Sequence, residues 1–176
     1  MFPSIVMVTV GDNVTVGNVG NGITFLCQKD NVKIRAKTGY SFPSNYADRL
    51  SNSGASCNND SYTFSKDIDV PSIYRVTFMD KFKVFKTIYT IGKDPVPKLD
   101  SDPINRGFIF EKWDIQSNII MRDVVIQSNW TALSFNVVLG INTSIQFKDG
   151  SVISINENSS ESERKLVLSA DKQFRI

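Results

Sequence analysis

Histidine is missing from this chain of 176 residues, cysteine occurs only twice, and no apolar run approaches the roughly 20 residues of a membrane-spanning helix. Without an imidazole there can be no Ser-His-Asp triad, no Cys-His pair and no His-based zinc site within the chain. Paired carboxylates remain, and glycoside hydrolysis needs nothing more. Asp67 with Asp69 and Glu111 with Asp114 are the obvious pairs. Neither sits in an identifiable cleft, so solvated surface charge is the preferred reading and a non-catalytic protein is expected. A net charge of +2 gives no case for nucleic acid or an anionic membrane. Asp94, Asp100 and Asp102 gather acidic oxygen without EF-hand spacing, so neither a metal nor a cofactor is expected.

What is present is strand grammar. Between Trp130 and Ile155 the chain writes Thr131–Leu139, a turn at Gly140-Ile141-Asn142, Thr143–Phe147, a turn at Lys148-Asp149-Gly150, and Ser151–Ile155. Leu133, Phe135, Val137 and Leu139 recur at every second residue, which assigns them to one buried strand face. Val8-Thr-Val10 and Val14-Thr-Val16 form a near-repeat that reads as a hairpin turning at Gly11-Asp12-Asn13. A second pair is expected at Ile23–Gln28 and Val32–Ala36. Further strands read at Tyr62–Phe64, Ile73–Met79, Phe82–Ile91, Gly107–Trp113, Ile119–Ile126, Lys165–Leu168 and Gln173–Ile176, with a bulge near Val84–Phe85 where the alternation slips. Closely spaced strands without crossover helices predict an all-β fold, an antiparallel β-sandwich. Three prolines within 92–103 mark a boundary. Two tandem sandwich domains are therefore expected, at 1–94 and 104–176 with 95–103 as linker, and a single jelly-roll-like sandwich is the alternative.

Alternation stops from Lys37 to Asp60, apart from one helical turn expected near 45–50. Loops of this length are usually functional or disordered. Tyr40, Phe42, Asn45 and Tyr46 lie in it, and Tyr, Ser and Asn are the residue types of adaptable binding loops. The competing reading makes the three aromatics a plug at the end of the core. Cys27 and Cys57 bracket the same region, and an even count on a β-rich chain predicts a disulfide between them. Asn13, Asn59, Asn129, Asn142 and Asn158 each open an Asn-x-Ser/Thr triplet, against roughly two to three expected from composition, and all fall at predicted turns or strand ends. Lys81, Lys83, Lys86 and Arg75 could line an anionic partner, but lysines on an outer strand also discourage edge pairing. The N-terminus reads as a first strand, not a signal peptide.

Together these features point to a secreted or cell-surface glycoprotein that binds a protein or glycan ligand through its loops, with a cytoplasmic protein as the alternative. A carbohydrate-binding module stacking sugar on an exposed Trp113 or Trp130, and a structural subunit of a coat or fibre joined through sheet edges, are the competing functions.

Overall fold

Strand makes up 51% of the computed structural model and helix 7%; the sheets are several and mainly antiparallel, and none closes, as in a sandwich-like all-β fold. The structure describes residues 3–81 and 83–172 in full and 174–175 by their backbone. Phe82, Gln173 and Ile176, at the ends of predicted strands, lie outside the described residues. By contact the chain divides into two units, each discontinuous in sequence: Met1–Asp100 with Asp114–Gln127, and Ser101–Trp113 with Ser128–Ile176.

The first unit is organised around β1 (Ile5–Val16), a strand with β2 (Val19–Cys27) on one side and β3 (Ile34–Ala36) and β6 (Ile68–Val70) on the other. Alternation explains its placement, since Val6, Val8, Val10, Val14 and Val16 all enter the core. The valine near-repeat is therefore one strand, and the hairpin expected at Gly11–Asn13 does not form. Asp12 N–H donates to Ser72 Oγ at 2.8 Å and Asn13 Nδ2 donates to the Ile73 carbonyl at 2.8 Å, which stitches the bulged middle of β1 to the next layer. A side chain at Gly11 would meet Ser72 backbone at 2.4 Å, so glycine serves close approach here. The turn falls instead at Gly17–Asn18, with Val16 facing Val19. β3 also departs from expectation: it pairs with β1 rather than with β2.

Between β3 and β6 the long polar stretch folds into α1 (Tyr46–Ser53), β4 (Ala55–Asn58) and β5 (Ser61–Phe64). Helix α1 ends at Gly54, which takes a left-handed φ of 108° and returns its N–H to the last turn. Tyr46, Leu50, Ala55 and Phe64 join the β1 valines in one core with Ile34, Ile68, Val70, Ile73 and Ile91. β7 (Ile73–Asp80) and β8 (Lys83–Ile91) form an antiparallel hairpin. Phe78 faces Lys86 and Met79 faces Val84, so Phe85 is the extra residue and the predicted bulge is present. The Pro-rich segment is held along its start: Lys93 N–H donates to Ile120 O, Ile120 N–H to Asp94 O, and Val96 N–H to Asn118 O.

β10 (Val124–Ala132) runs from one unit into the other. Its first residues, 124–127, pair parallel with β7, and the remainder pairs antiparallel with β9 (Phe108–Trp113) in the second unit. The strand predicted to open at Ile119 thus begins at Val124. The second unit also contains β11 (Ser134–Val138), β12 (Ser144–Phe147), β13 (Val152–Ser154), α2 (Glu161–Arg164), β14 (Lys165–Ser169) and β15 (Phe174–Arg175). Leu139, Ile145, Ile155 and Leu168 form its buried cluster. Leu133 and Phe135, assigned by alternation to the buried face, are exposed, while Leu139 on the same predicted face is buried; β11 pairs with β14 and not with its sequence neighbour β12.

Candidate functional site

The binding-loop residues separate into two environments. Tyr46 is 2% exposed, heads α1, and donates its hydroxyl to the Pro71 carbonyl at 2.6 Å. Burial, and secondarily the nearby Tyr62 phenol, push its pKa well above the ordinary tyrosine value. Phe42 packs on it at 4.7 Å between ring centroids. Tyr46 is thus a core residue, whereas Phe42 covers it with 41% of its own surface exposed. Asn45 precedes the helix without a side-chain capping bond.

Tyr40 is half-buried at the margin of the same core. It follows the tight turn at Gly39, whose carbonyl accepts from the Tyr89 hydroxyl at 2.9 Å. The Tyr40 hydroxyl donates to Asp123 Oδ2 at 2.5 Å, and Arg75 N–H donates to Asp123 Oδ1 at 2.8 Å. The Arg75 guanidinium lies 3.8 Å from Asp123 Oδ2 and 5.9 Å from the Tyr40 ring centre. Tyr89 meets Tyr40 edge-on at 6.1 Å. Donation to the Asp123 carboxylate, with a smaller contribution from burial, raises the Tyr40 pKa. One carboxylate therefore ties a loop, a strand and the chain leading into β10 into a single half-exposed polar cluster.

Asp123 also lines a groove of about 760 Å³ formed by Val96 and the chain from Asp114 to Ile126. Ile115, Ile119, Met121 and Val125 are exposed along it, while Ile120 turns inward to the core. The walls are set by backbone: the strap at 93–96 bonds to 118–120, and Ser117 Oγ donates to the Ile119 carbonyl at 2.9 Å. Asp94 is fixed in turn by Arg49, at 2.9 and 3.0 Å. Arg122 adds a cation to the groove beside Asp114 and Asp123. Apolar walls with a few placed polar groups are the usual make-up of a ligand site. Alternation read Ile119–Ile126 as a strand and so missed this groove, because residues 114–123 lie outside the named strands and helices and only Val124 onward enters β10.

The other expected sites fare differently. Cys27 and Cys57 are free thiols, so the predicted disulfide is not formed. Cys27 ends β2 opposite Ile5, whereas Cys57 faces Tyr62 within the separate β4–β5 hairpin. Asn13, Asn59 and Asn142 all take positive φ, at 62°, 47° and 63°. Asparagine tolerates that region better than most residues, so backbone geometry favours the Asn itself at three of the five triplets. Asn59, Asn142 and Asn158 are exposed; Asn129 is half-buried in β10, and the Asn13 amide is held by Ile73. Trp113 and Trp130 are half-buried, each 5.4 Å from Phe110 between ring centroids. Asp67 Oδ1 accepts from Met7 N–H, and Glu111 accepts from the Thr131 hydroxyl. Among the described residues no three His, Cys, Asp or Glu side chains are grouped to hold a metal ion. Among the described residues, too, no helix is long and apolar enough to cross a membrane.

No family model, curated protein or solved structure matches the chain.

Proposed function

We propose that this protein is a non-catalytic binding module that recognises a protein ligand through the groove at 114–126 and the adjoining Tyr40–Arg75–Asp123 cluster. The observation that supports this reading most is the sharing of Asp123: the same carboxylate lines the apolar groove and fixes Tyr40 and Arg75 beside it. Apolar side chains of an extended ligand would fill the groove between Ile115, Ile119 and Met121. Tyr40 and Arg75, the residue types that dominate binding hot spots, would contact its polar flank. The carbohydrate reading draws less support, since it calls for an exposed indole and both indoles pack on Phe110. Placement at the cell surface rests on the exposed triplets at Asn59, Asn142 and Asn158. Intact mass of protein from its native source, before and after deglycosylation, tests it.

The groove is tested by panning a random peptide library on the wild-type chain and measuring the selected peptides against Met121→Asp and Asp123→Ala. Selected peptides should lose at least tenfold in affinity with either variant, because a buried contact of this kind is worth about 2 kcal/mol. Peptides that bind both variants as well as wild type would remove the site from consideration.

A further inference from the structure

Strand β2 lies at the edge of its sheet, with β1 on one side and no strand on the other among the described residues. Which backbone groups face outward follows from the register. Gln28 N–H donates to Ser4 O, and the ladder continues with Leu26 opposite Val6 and Thr24 opposite Val8. Hydrogen-bonded and non-hydrogen-bonded pairs alternate in an antiparallel ladder, so residues 24, 26 and 28 bond to β1 while 23, 25 and 27 point away. Two bonds confirm the parity: Cys27 N–H donates outward to Asp30 Oδ2 at 2.9 Å, and Asp30 N–H returns to Cys27 O at 2.9 Å. Cys27 is thereby closed off. Ile23 and Phe25 have no outward backbone partner among the described residues, and their side chains are 57% and 66% exposed.

The strand also lacks the charged residues and proline that discourage pairing. From Gly17 to Cys27 there is no Lys, Arg, Asp, Glu or Pro. The outer strand β8 is the contrast, carrying exposed Lys83 and Lys86 and the Phe85 bulge. Lysines and bulges are how natural sheets blunt their edges. The chain thus guards one edge and leaves another bare.

From this geometry we infer that β2 is a homotypic docking edge, pairing antiparallel with β2 of a second copy about a two-fold axis at Thr24. In that register Ile23 faces Phe25 of the partner subunit, and Phe25 faces its Ile23. All four open residues then exchange N–H and C=O, giving four hydrogen bonds with none left over. Moving the axis to Phe25 would set Ile23 against Cys27, whose groups Asp30 already occupies. An uncharged edge meets its own copy without like-charge repulsion, which a two-fold axis would impose on any charged residue there. On the outer face, Ile23 and Phe25 would pair across the interface, extending the apolar surface begun by Ile5 and Met7. Because the two-fold consumes both edges, the assembly stops at a dimer.

The test places a cysteine on the axis. Thr24 sits at a non-hydrogen-bonded pair in this register, where Cα atoms approach to about 4.5 Å, within disulfide range. In a Cys27→Ser, Cys57→Ser background, Thr24→Cys should cross-link into a covalent dimer under mild oxidation, and Asn18→Cys, at the turn, should not. Sedimentation of the wild-type chain should show a monomer–dimer equilibrium, and Phe25→Lys should weaken it at least tenfold with the thermal midpoint unchanged. Phe25 is exposed, so this variant folds. A monomer at every concentration, equal cross-linking at positions 18 and 24, an unaffected Phe25→Lys dimer, or open-ended growth would each overturn the inference. Met121→Asp should leave dimerisation intact, which separates this edge from the groove.

Discussion

At the scale of single residues, Tyr46 shows how an apparent binding residue turns out to be architecture. Its ring lies in the core and its hydroxyl donates to the Pro71 carbonyl, so a buried polar group is paired. Tyr46→Phe keeps the ring and deletes the donor, so it should cost about 1 kcal/mol in urea-melt stability, the usual net value of such a bond. The same residue makes stability pH-dependent. The folded state raises the Tyr46 phenol by burial, and Tyr62 and Tyr74 are raised in the same direction, again by burial first. Below the ordinary tyrosine value of about 10 both states hold the proton, and stability is flat. Above it the unfolded chain gives up protons that the folded chain keeps, so stability falls as pH rises toward the folded-state values. Denaturant melts at stepped alkaline pH should show that fall, and Tyr46→Phe should reduce its slope by up to about 1.4 kcal/mol per pH unit. An identical slope in the variant would mean that Tyr46 ionises at its ordinary pH despite its burial.

At the scale of elements, period-two alternation carried most of the strands and the local hairpins β7–β8 and β12–β13, but not the pairing between strands distant in sequence. The hairpin β7–β8 and its bulge were readable, because the slip between Val84 and Phe85 is written in local parity. The valine near-repeat misled, because Gly11-Asp12-Asn13 is a good turn sequence by itself. What kept it extended was Ser72 and Ile73, some 60 residues away. The true turn at Gly17–Asn18 uses a positive φ of 58° at its first residue, where glycine is preferred. Gly17→Val should therefore cost about 1–2 kcal/mol, the penalty of that conformation for a side-chain-bearing residue. Nothing lies within 4 Å of the missing Cβ, so the loss would come from backbone strain and not from a clash. Gly17→Asn should recover a large part of it. Thermal melts of the two variants make the comparison, and equal losses in both would mean that the turn, rather than its φ, is sensitive. The groove escaped the sequence for a related reason. Tyr40 and Asp123 are 83 positions apart, and nothing in the local pattern around either residue points to the other.

At the scale of the whole molecule, the chain holds separate cores in units that it builds from interleaved segments. The β1 valines anchor one, and Ile145, wholly buried with Leu139, Ile155 and Leu168, anchors another. Burial of this kind stabilises only the unit that contains it, unless the packed elements unfold together. Ile145→Ala removes buried methyl and methylene groups and should cost about 2–5 kcal/mol locally. Native-state hydrogen exchange can locate that cost residue by residue. Amides of β12 and β13 should lose protection in the variant, while those of β1 and β7 keep theirs, if the two units open independently. A uniform loss through β1 and β7 would instead make the chain one cooperative body. The outcome bears on both proposed surfaces, because the groove and the β2 edge lie in the first unit. Independent opening leaves each of them formed when the second unit frays, so ligand and copy would still find their sites. Cooperative opening would make the second unit a condition for both, and Ile145→Ala would then weaken peptide binding and dimerisation alike.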